Sequence, residues 1–307
     1  MKPDRQADIS VIVQVFNHEK LLEKALTGIE VQEFDGTIEV IIHDDASTDQ
    51  SPSIYNRYAE NSRHTVKIVR QPENKFSRKI PFLPDILAAC TGKVIAVCDG
   101  DDFWVSPLKL ANQYKALEIL PNVDICFHKA LRVNWLSEAG FGYLADYGNE
   151  PKLFSPAQVI EGDGGFMPSA SLMIRRSVFD AMPQWIFEPP APPAGDYFWQ
   201  VYGAQRGGAL YLPMCAAAYR EGHPESWTQQ IIANQKHFID FDLAFLSYIF
   251  QMRESIDPQY KGSVDNFIMR RFLDACSRCH QGRQIEDIWR LISLMSNNYP
   301  ETLASKT

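Results

Sequence analysis

The sequence predicts an α/β fold: a doubly wound, mainly parallel, Rossmann-like sheet with a helical C-terminal extension. Three observations carry this. In the first 125 residues, short β-branched runs alternate with segments whose apolar residues recur at helical spacing, the pattern of right-handed strand–helix–strand crossovers. The run Val94-Ile95-Ala96-Val97-Cys98 is apolar at every position, as in a strand covered on both faces. From Gln229 onward, charged and apolar residues mix as in helices.

Each element follows in order. Ile9–Val15 is a β-rich run, and Asn17 is a plausible N-cap for a helix whose buried stripe is Leu21, Leu22, Ala25, Leu26 and Ile29. Glu39–His43 is a second strand, ending in Asp44-Asp45-Ala46-Ser47-Thr48-Asp49. Ser51-Pro52 then reads as a cap followed by proline at the first helical position. Val66–Val69 is a short third strand, Phe82–Ala89 a helix stopped at Gly92, and the apolar strand is the fourth. Ser106-Pro107 repeats the cap-plus-proline start for a helix over Leu108–Leu120, which Pro121 ends.

Beyond residue 125 the pattern is irregular. Gly162-Asp163-Gly164-Gly165 and Pro189-Pro190-Ala191-Pro192-Pro193 mark loops. Ser171–Ile174 reads as a strand and Ser177–Met182 as a short helix. The expected division is 1–125, 126–228 (two halves of one domain) and 229–307 (the helical extension), with no flexible linker.

Length and charge narrow the function. A chain of 307 residues suffices for one large domain or two small ones. A net charge of −8 argues against a nucleic-acid groove, which needs a basic stripe. The amino terminus, MKPDRQADIS, has no apolar signal region. Phe241–Met252 is too short to span a bilayer and is interrupted by Asp242 and Ser247. The six cysteines form no framework, which suits a reducing cytoplasm. Cys276-Ser277-Arg278-Cys279-His280 matches a haem-attachment pattern, but in a helical segment without an export signal it reads as ordinary helix cysteines.

Chemistry concentrates at three strand ends, where doubly wound sheets bind ligands: Phe16-Asn17, Asp44-Asp45 and Asp99-Gly100-Asp101-Asp102. Three carboxylates after one strand repel one another unless a cation sits among them. Oxygen ligands without Cys or His suit Mg²⁺ or Mn²⁺. Gly100 leaves room for a ligand's phosphate or sugar. A solvated acidic turn capping the next helix is the alternative.

These residues also carry a resemblance. ISVIVQVFN and EVIIHDDASTD resemble the opening of inverting family 2 glycosyltransferases with the GT-A fold. Cys98-Asp99-Gly100-Asp101-Asp102-Phe103-Trp104 with Ser106-Pro107-Leu108-Lys109-Leu110 is similar to the D-x-D segment of bacterial members. Gly195-Asp196-Tyr197-Phe198-Trp199 resembles the segment with the catalytic base, and Tyr219-Arg220 with Trp227 the Y-R-x-H-x-x-x-x-W segment. The match covers about residues 8–228.

The resemblance implies roles. Phe16 would stack on the donor's base, with Asn17 beside it; core packing is the alternative for Phe16. Asp45 would accept from the base edge, or cap a helix, while Asp44 steers the turn. Asp99 would contact the donor's ribose or sugar, and Asp101 would hold a divalent ion, Mn²⁺ or Mg²⁺, that bridges the diphosphate. Arg78 and Lys79 would add positive charge there or form a solvated loop. Asp196 would be the general base, or a helix cap. The family's His falls at Gly222 here, so His223 would reach the metal only through a bulge; otherwise it is a surface residue. Trp227 keeps its offset, on the donor side.

The implied activity is metal-dependent inverting transfer of a sugar from a nucleotide-sugar donor, first of all a UDP-sugar, to a carbohydrate or lipid-linked acceptor in bacterial surface polysaccharide or glycolipid synthesis. The implied setting is the cytoplasm, with contact at the inner face of the membrane left open and no nucleic-acid partner. A sugar-phosphate nucleotidyltransferase would show a Gly-, Arg- and Lys-containing signature after the first strand, where VFNHEK stands. A non-catalytic nucleotide-sugar-binding subunit would lack Asp101 or Asp196, and both are present.

Overall fold

The computed structural model describes residues 6–224, 226, 228–229, 235–282 and 284–299. The chain divides into two compact units, Met1–Ala191 with Gly195–Glu221, and Pro192–Ala194 with Gly222–Thr307.

The first unit is built on a ten-stranded sheet. Its strands are β1 (Ile9–Val15), β2 (Ile38–Asp44), β3 (Thr65–Arg70), β4 (Val94–Asp99), β5 (Phe103–Trp104), β6 (Ile125–Asn134), β7 (Gly140–Leu144), β8 (Lys152–Phe154), β9 (Met173–Arg175) and β10 (Ala209–Glu221). The order is β3-β2-β1-β4-β9-β6-β10-β5, with β7 on β6 and β8 on β10. The β1, β2, β3 and β4 pairings and the β6–β10 pairing are parallel, as the alternation predicts. Three-residue β9 enters antiparallel between β4 and β6, and β5 pairs antiparallel with β10. The helices are α1 (Leu22–Glu30), α2 (Ser51–Asn61), α3 (Leu83–Ala89), α4 (Lys109–Ile119), α5 (Pro156–Glu161), α6 (Arg176–Asp180) and α7 (Gly195–Ala204).

Alternation within β1 sends Ile9, Val11, Val13 and Val15 to one face, where they meet Leu22, Ala25, Leu26 and Ile29 of α1 in the main core. Each buried Val, Leu or Ile among them stabilises the fold by about 1.5–3 kcal/mol.

Several local expectations need correcting. Asn17 does not cap α1: it sits at φ 54° and α1 begins five residues later without a side-chain cap. Asn tolerates this left-handed backbone, and its side chain is used on the neighbouring loop. Ser51 is the first residue of α2 rather than its cap, because its hydroxyl instead accepts from the His18 N–H at 2.9 Å. Asp49 accepts from the Ser51 N–H at 2.9 Å in its place. Ser106-Pro107 forms a turn ahead of α4, which starts at Lys109. Residues 169–171 are a 3₁₀ turn, so the strand expected from Ser171 starts at Met173.

Lys109 is fully buried. Its ammonium donates to Gln113 Oε1 at 2.8 Å and lies 4.1 Å from the centre of the Trp104 ring, and burial pulls its pKa down to about 7. The unfolded chain therefore binds more protons between about pH 7 and 10.5, and this group's contribution to stability rises with pH across that window. Lys109→Met removes this ionisation penalty at the cost of the bond to Gln113, so the stability of the variant relative to wild type is expected to be greater at pH 7 than at pH 9, each tenfold change in proton affinity being worth about 1.4 kcal/mol. Urea unfolding at pH 7 and pH 9 checks this: the variant's relative stability should fall at the higher pH. A constant difference would contradict it.

In the second unit the described helices are α8 (Gln235–Ser255), α9 (Lys261–Gln281) and α10 (Ile285–Asn298). Asp242, the charge that interrupts the apolar run on α8, is buried and pairs with Arg271 and Arg278 of α9. Cys276 and Cys279 lie on α9, Cys279 fully buried. Among the described residues, no helix is long and apolar enough to cross a membrane.

Candidate active site

Strand register brings the acidic segments together. Gln14 of β1 stands opposite Asp99 of β4, and Val15 opposite Asp44 of β2, so Phe16, Asp45 and the Asp99–Asp102 turn emerge side by side. The three carboxylates of that turn differ. Asp99 accepts from Gln14 Nε2 at 3.0 Å and from Ser169 Oγ at 2.6 Å. Burial, then the adjacent Asp101, pushes its pKa up to about 6 against the Ser169 hydrogen bond, with Asp196 adding to the rise. Asp102 is buried and accepts from the Arg220 N–H at 2.9 Å; burial, with Asp101 and Asp99, holds its carboxyl well above the usual range. Asp101 is half-buried, and among the described residues none donates a hydrogen bond to its carboxylate; only its backbone carbonyl is taken, by Arg220 Nη1 at 2.7 Å. Asp101 is thus the carboxylate left to meet a ligand. An oxygen-only set beside repelling carboxyls fits a hard divalent ion. No described group of three or more His, Cys, Asp and Glu is arranged to hold an ion by itself. Hard ions bound by one or two carboxylates commonly complete their shell from phosphates.

The β1 and β2 ends form the second part of the site. Phe16 is 42% exposed, so it is not core packing. Asn17 Oδ1 accepts from the Thr48 N–H at 2.9 Å, and the Asn17 N–H donates to Ser47 Oγ at 3.0 Å, clamping the two strand-end loops together. Asp44 is fully buried, accepting from Ser47 N–H and Tyr55 Oη, both at 2.8 Å, which is the turn-steering role expected of it. Asp45 is not a helix cap: its two oxygens accept from the backbone N–H groups of Lys75 and Phe76 at 2.8 and 3.0 Å, holding the 75–79 loop. Arg78 of that loop pairs with Glu73, both half exposed, and the Lys79 carbonyl accepts from the Ala191 N–H of the proline-rich loop at 2.6 Å. A cleft of about 530 Å³, lined by Ala46, Ser47, Thr48, Arg70, Gln71 and Pro72, opens at the ends of β2 and β3.

Asp196 stands in the first turn of α7, as its second residue rather than its cap. Burial, opposed by the Tyr197 N–H and reinforced by Asp163, pushes its pKa up to about 6. α7 also holds the 162–168 segment, which the glycine run marked as a loop without giving it a role. Gln200 Nε2 donates to the Gly164 and Met167 carbonyls at 3.1 and 3.2 Å, and Tyr197 Oη to Ile160 at 2.9 Å. Ser169, just beyond, bonds Asp99, so one loop links α7 to the acidic turn.

Sequence reasoning missed four residues here: Gln14 and Ser169 on Asp99, His18 over Gly100, and the structural part of Arg220. No periodicity marks them; Tyr219-Arg220 was the one available signal. Arg220 is 3% exposed and donates to Glu138 Oε1 at 2.7 Å as well as to Asp101. Its guanidinium lies 4.5 Å from the centre of the Phe103 ring, and Lys24 lies 3.9 Å from it. His223 belongs to the second unit, and Trp227 lies outside the described residues.

With that geometry in place, comparison with known proteins is decisive on family. Residues 10–182, more than half of the chain, match the model of Glycosyl transferase family 2. The chain belongs to this family. An uncharacterized protein of Mycobacterium tuberculosis is 37% identical over 121 residues, 39% of this chain and 34% of that relative, so the match spans about a third of the relative's length. S. aureus TarS 1–349, solved with UDP-GlcNAc, superposes with a TM-score of 0.68 at 17% identity, covering 95% of this chain and 80% of that one. The mannosyltransferase PcManGT of Pyrobaculum calidifontis, solved with GDP-Man and Mn²⁺, gives 0.60 at 18% identity, covering 96% and 76%. The family 2 domain therefore has the GT-A fold of these glycosyltransferases.

Proposed function

We propose that this family 2 protein is an inverting glycosyltransferase that moves a sugar from a nucleotide-sugar donor to an acceptor hydroxyl by single displacement. One observation carries the reading: a carboxylate free to meet a ligand, Asp101 after β4, and a separate carboxyl raised to about 6, Asp196 on α7, both act electrostatically on Asp99. Two acids whose environments give them different tasks are what donor binding plus proton abstraction requires.

Phe16 would stack on the base, with Asp45 and the Ser47–Pro72 cleft beside it. Asp99 would contact the donor's ribose or sugar; Gly100 is not the open approach expected of it, because His18 and the Gln14 carbonyl fill the space beside its Cα. Asp101, with Asp99, would hold Mn²⁺ or Mg²⁺ together with the diphosphate oxygens; such an ion neutralises charge on the leaving group. Asp196 takes the acceptor proton as the hydroxyl oxygen bonds to the anomeric carbon, the bond to the diphosphate breaks, and the nucleoside diphosphate departs. TarS and PcManGT, solved with a UDP-sugar and a GDP-sugar, support a nucleotide-sugar donor. A UDP-sugar is the first choice, and a carbohydrate or lipid-linked hydroxyl in bacterial surface glycan synthesis is the acceptor class. His223 and Trp227 are not needed for this reading.

Proton NMR tests it. The protein, with Mn²⁺, UDP-glucose, UDP-GlcNAc or GDP-mannose and simple glycosides as acceptors, should give a product whose new linkage has the anomeric configuration opposite to the donor's. Retention, or no transfer from any of the donors, would contradict it.

A further inference from the structure

His18 follows Phe16 and Asn17 after β1 and packs over the acidic turn. Its backbone is fixed on both sides: the N–H donates to Ser51 Oγ at 2.9 Å, and the carbonyl accepts from Leu21 and Leu22 N–H, each at 2.9 Å. A methyl group on Gly100 would lie 2.7 Å from His18 Nδ1 and 2.9 Å from the Gln14 carbonyl. Glycine at 100 thus lets the imidazole seat beside Asp99, a use of that residue distinct from ligand approach.

The ring's two nitrogens are in different surroundings. Nδ1 is buried with no hydrogen-bond partner. A buried N–H without an acceptor is rarer in folded proteins than a buried acceptor without a donor, which favours the tautomer with its proton on Nε2. Nε2–H is then a donor on a residue whose backbone is fixed beside the acidic turn. Of the cations on the surrounding loops, Lys24 and Arg220 pair with Glu138, Lys75 with Asp85 and Arg78 with Glu73, which leaves the ammonium of exposed Lys79 as the other donor. An anionic ligand at this acidic strand end therefore meets few uncommitted donors.

We infer that His18 is a phosphate-binding residue of the donor site, its Nε2–H donating to a phosphoryl oxygen of the nucleoside diphosphate. This rests on the nucleotide-sugar reading of the same site. It also separates His18 from the metal. Metal-ligating imidazoles donate their other N–H to an acceptor, and Nδ1 has none here.

The test is calorimetry with UDP, GDP and dTDP, and ligand-observed NMR with the matching nucleosides, each in EDTA and in Mn²⁺. His18→Ala should weaken the preferred diphosphate about ten- to a hundredfold in both buffers, the range for a hydrogen bond to a charged group. Nucleoside affinity and melting temperature should be unchanged. His18→Gln, whose amide nitrogen falls near the Nε2 position, should restore most of the loss. A loss confined to Mn²⁺ would make His18 a metal ligand, and an equal loss for nucleoside and diphosphate would make it structural; either overturns the inference, as does no loss. Wild-type protein that binds none of the three diphosphates would instead overturn the nucleotide-sugar reading itself, and this inference with it.

Discussion

Asp196→Asn is expected to leave donor binding nearly intact and to lower turnover to the acceptor by roughly 10²–10⁴, about 2.7–5.5 kcal/mol of transition-state stabilisation. The amide keeps the shape of the side chain in the first turn of α7 but cannot take a proton. The environment of Asp196 adds a second signature. Burial, the largest influence on it, raises its pKa to about 6, so wild-type kcat/KM should fall as pH drops through about 6, where the base becomes protonated. The stability sign runs the other way. The folded state binds more protons than the unfolded chain between about pH 4 and 6, so ionising Asp196 costs stability above that window. The Asn variant should therefore be at least as stable as wild type at pH 7. Initial rates of transfer, donor affinity and melting temperature, measured together, check all three. A variant retaining more than about a tenth of wild-type turnover would send the search for the base to Glu161, Asp163 and Glu188.

Arg220→Ala should be strongly destabilising although Arg220 takes no part in the chemistry. Arg220 is almost completely buried, and its guanidinium joins Glu138, the Asp101 carbonyl and the face of Phe103. Glu138 is only partly buried and keeps Lys24, so the loss comes from the packing of the buried side chain and from the Asp101 carbonyl left without its donor, about 3–5 kcal/mol together. For a domain of this size that is a fall in melting temperature on the order of 6–20 °C. The Asp101 carbonyl loses its anchor, so nucleotide affinity should fall in the fraction that remains folded. Arg220→Lys should recover little, since a single ammonium cannot reproduce the forked contact to Glu138 and Asp101 together. Thermal unfolding with a parallel nucleotide titration checks this; a change of under about 3 °C would contradict the anchoring role.

Much of the donor half was legible in the sequence because its determinants are local. Apolar runs with period two, amphipathic spacing and the acidic residues at strand ends all lie within ten-residue windows, so β1 to β4 and the Asp99–Asp101 turn could be placed by pattern. Features made by distant pairs were not legible. β9 is three residues long and owes its place to β4 and β6 rather than to its own composition. The caps of α1 and α2 were misread because Asn17 and Ser51 hydrogen-bond across loops instead of along their helices, so composition named the right residue types in the wrong roles. Asp45 is a third case. An exposed-looking acid after a strand proved to be the clamp on the 75–79 loop thirty residues away. Asp196 was placed by its motif, but its altered acidity comes from burial and from Asp163, which only the folded chain brings to bear.

The central claim is that the strand ends around Asp99 and Asp101 bind a nucleoside diphosphate through a shared divalent ion. Calorimetric titration of UDP and GDP into the protein, first in EDTA and then in Mn²⁺, tests it most directly. Binding should strengthen at least tenfold in Mn²⁺, and Asp101→Ala should abolish that gain while leaving the weak metal-free affinity in place. Equal affinity in the two buffers, or an Asp101→Ala protein that responds to Mn²⁺ like wild type, would contradict the account.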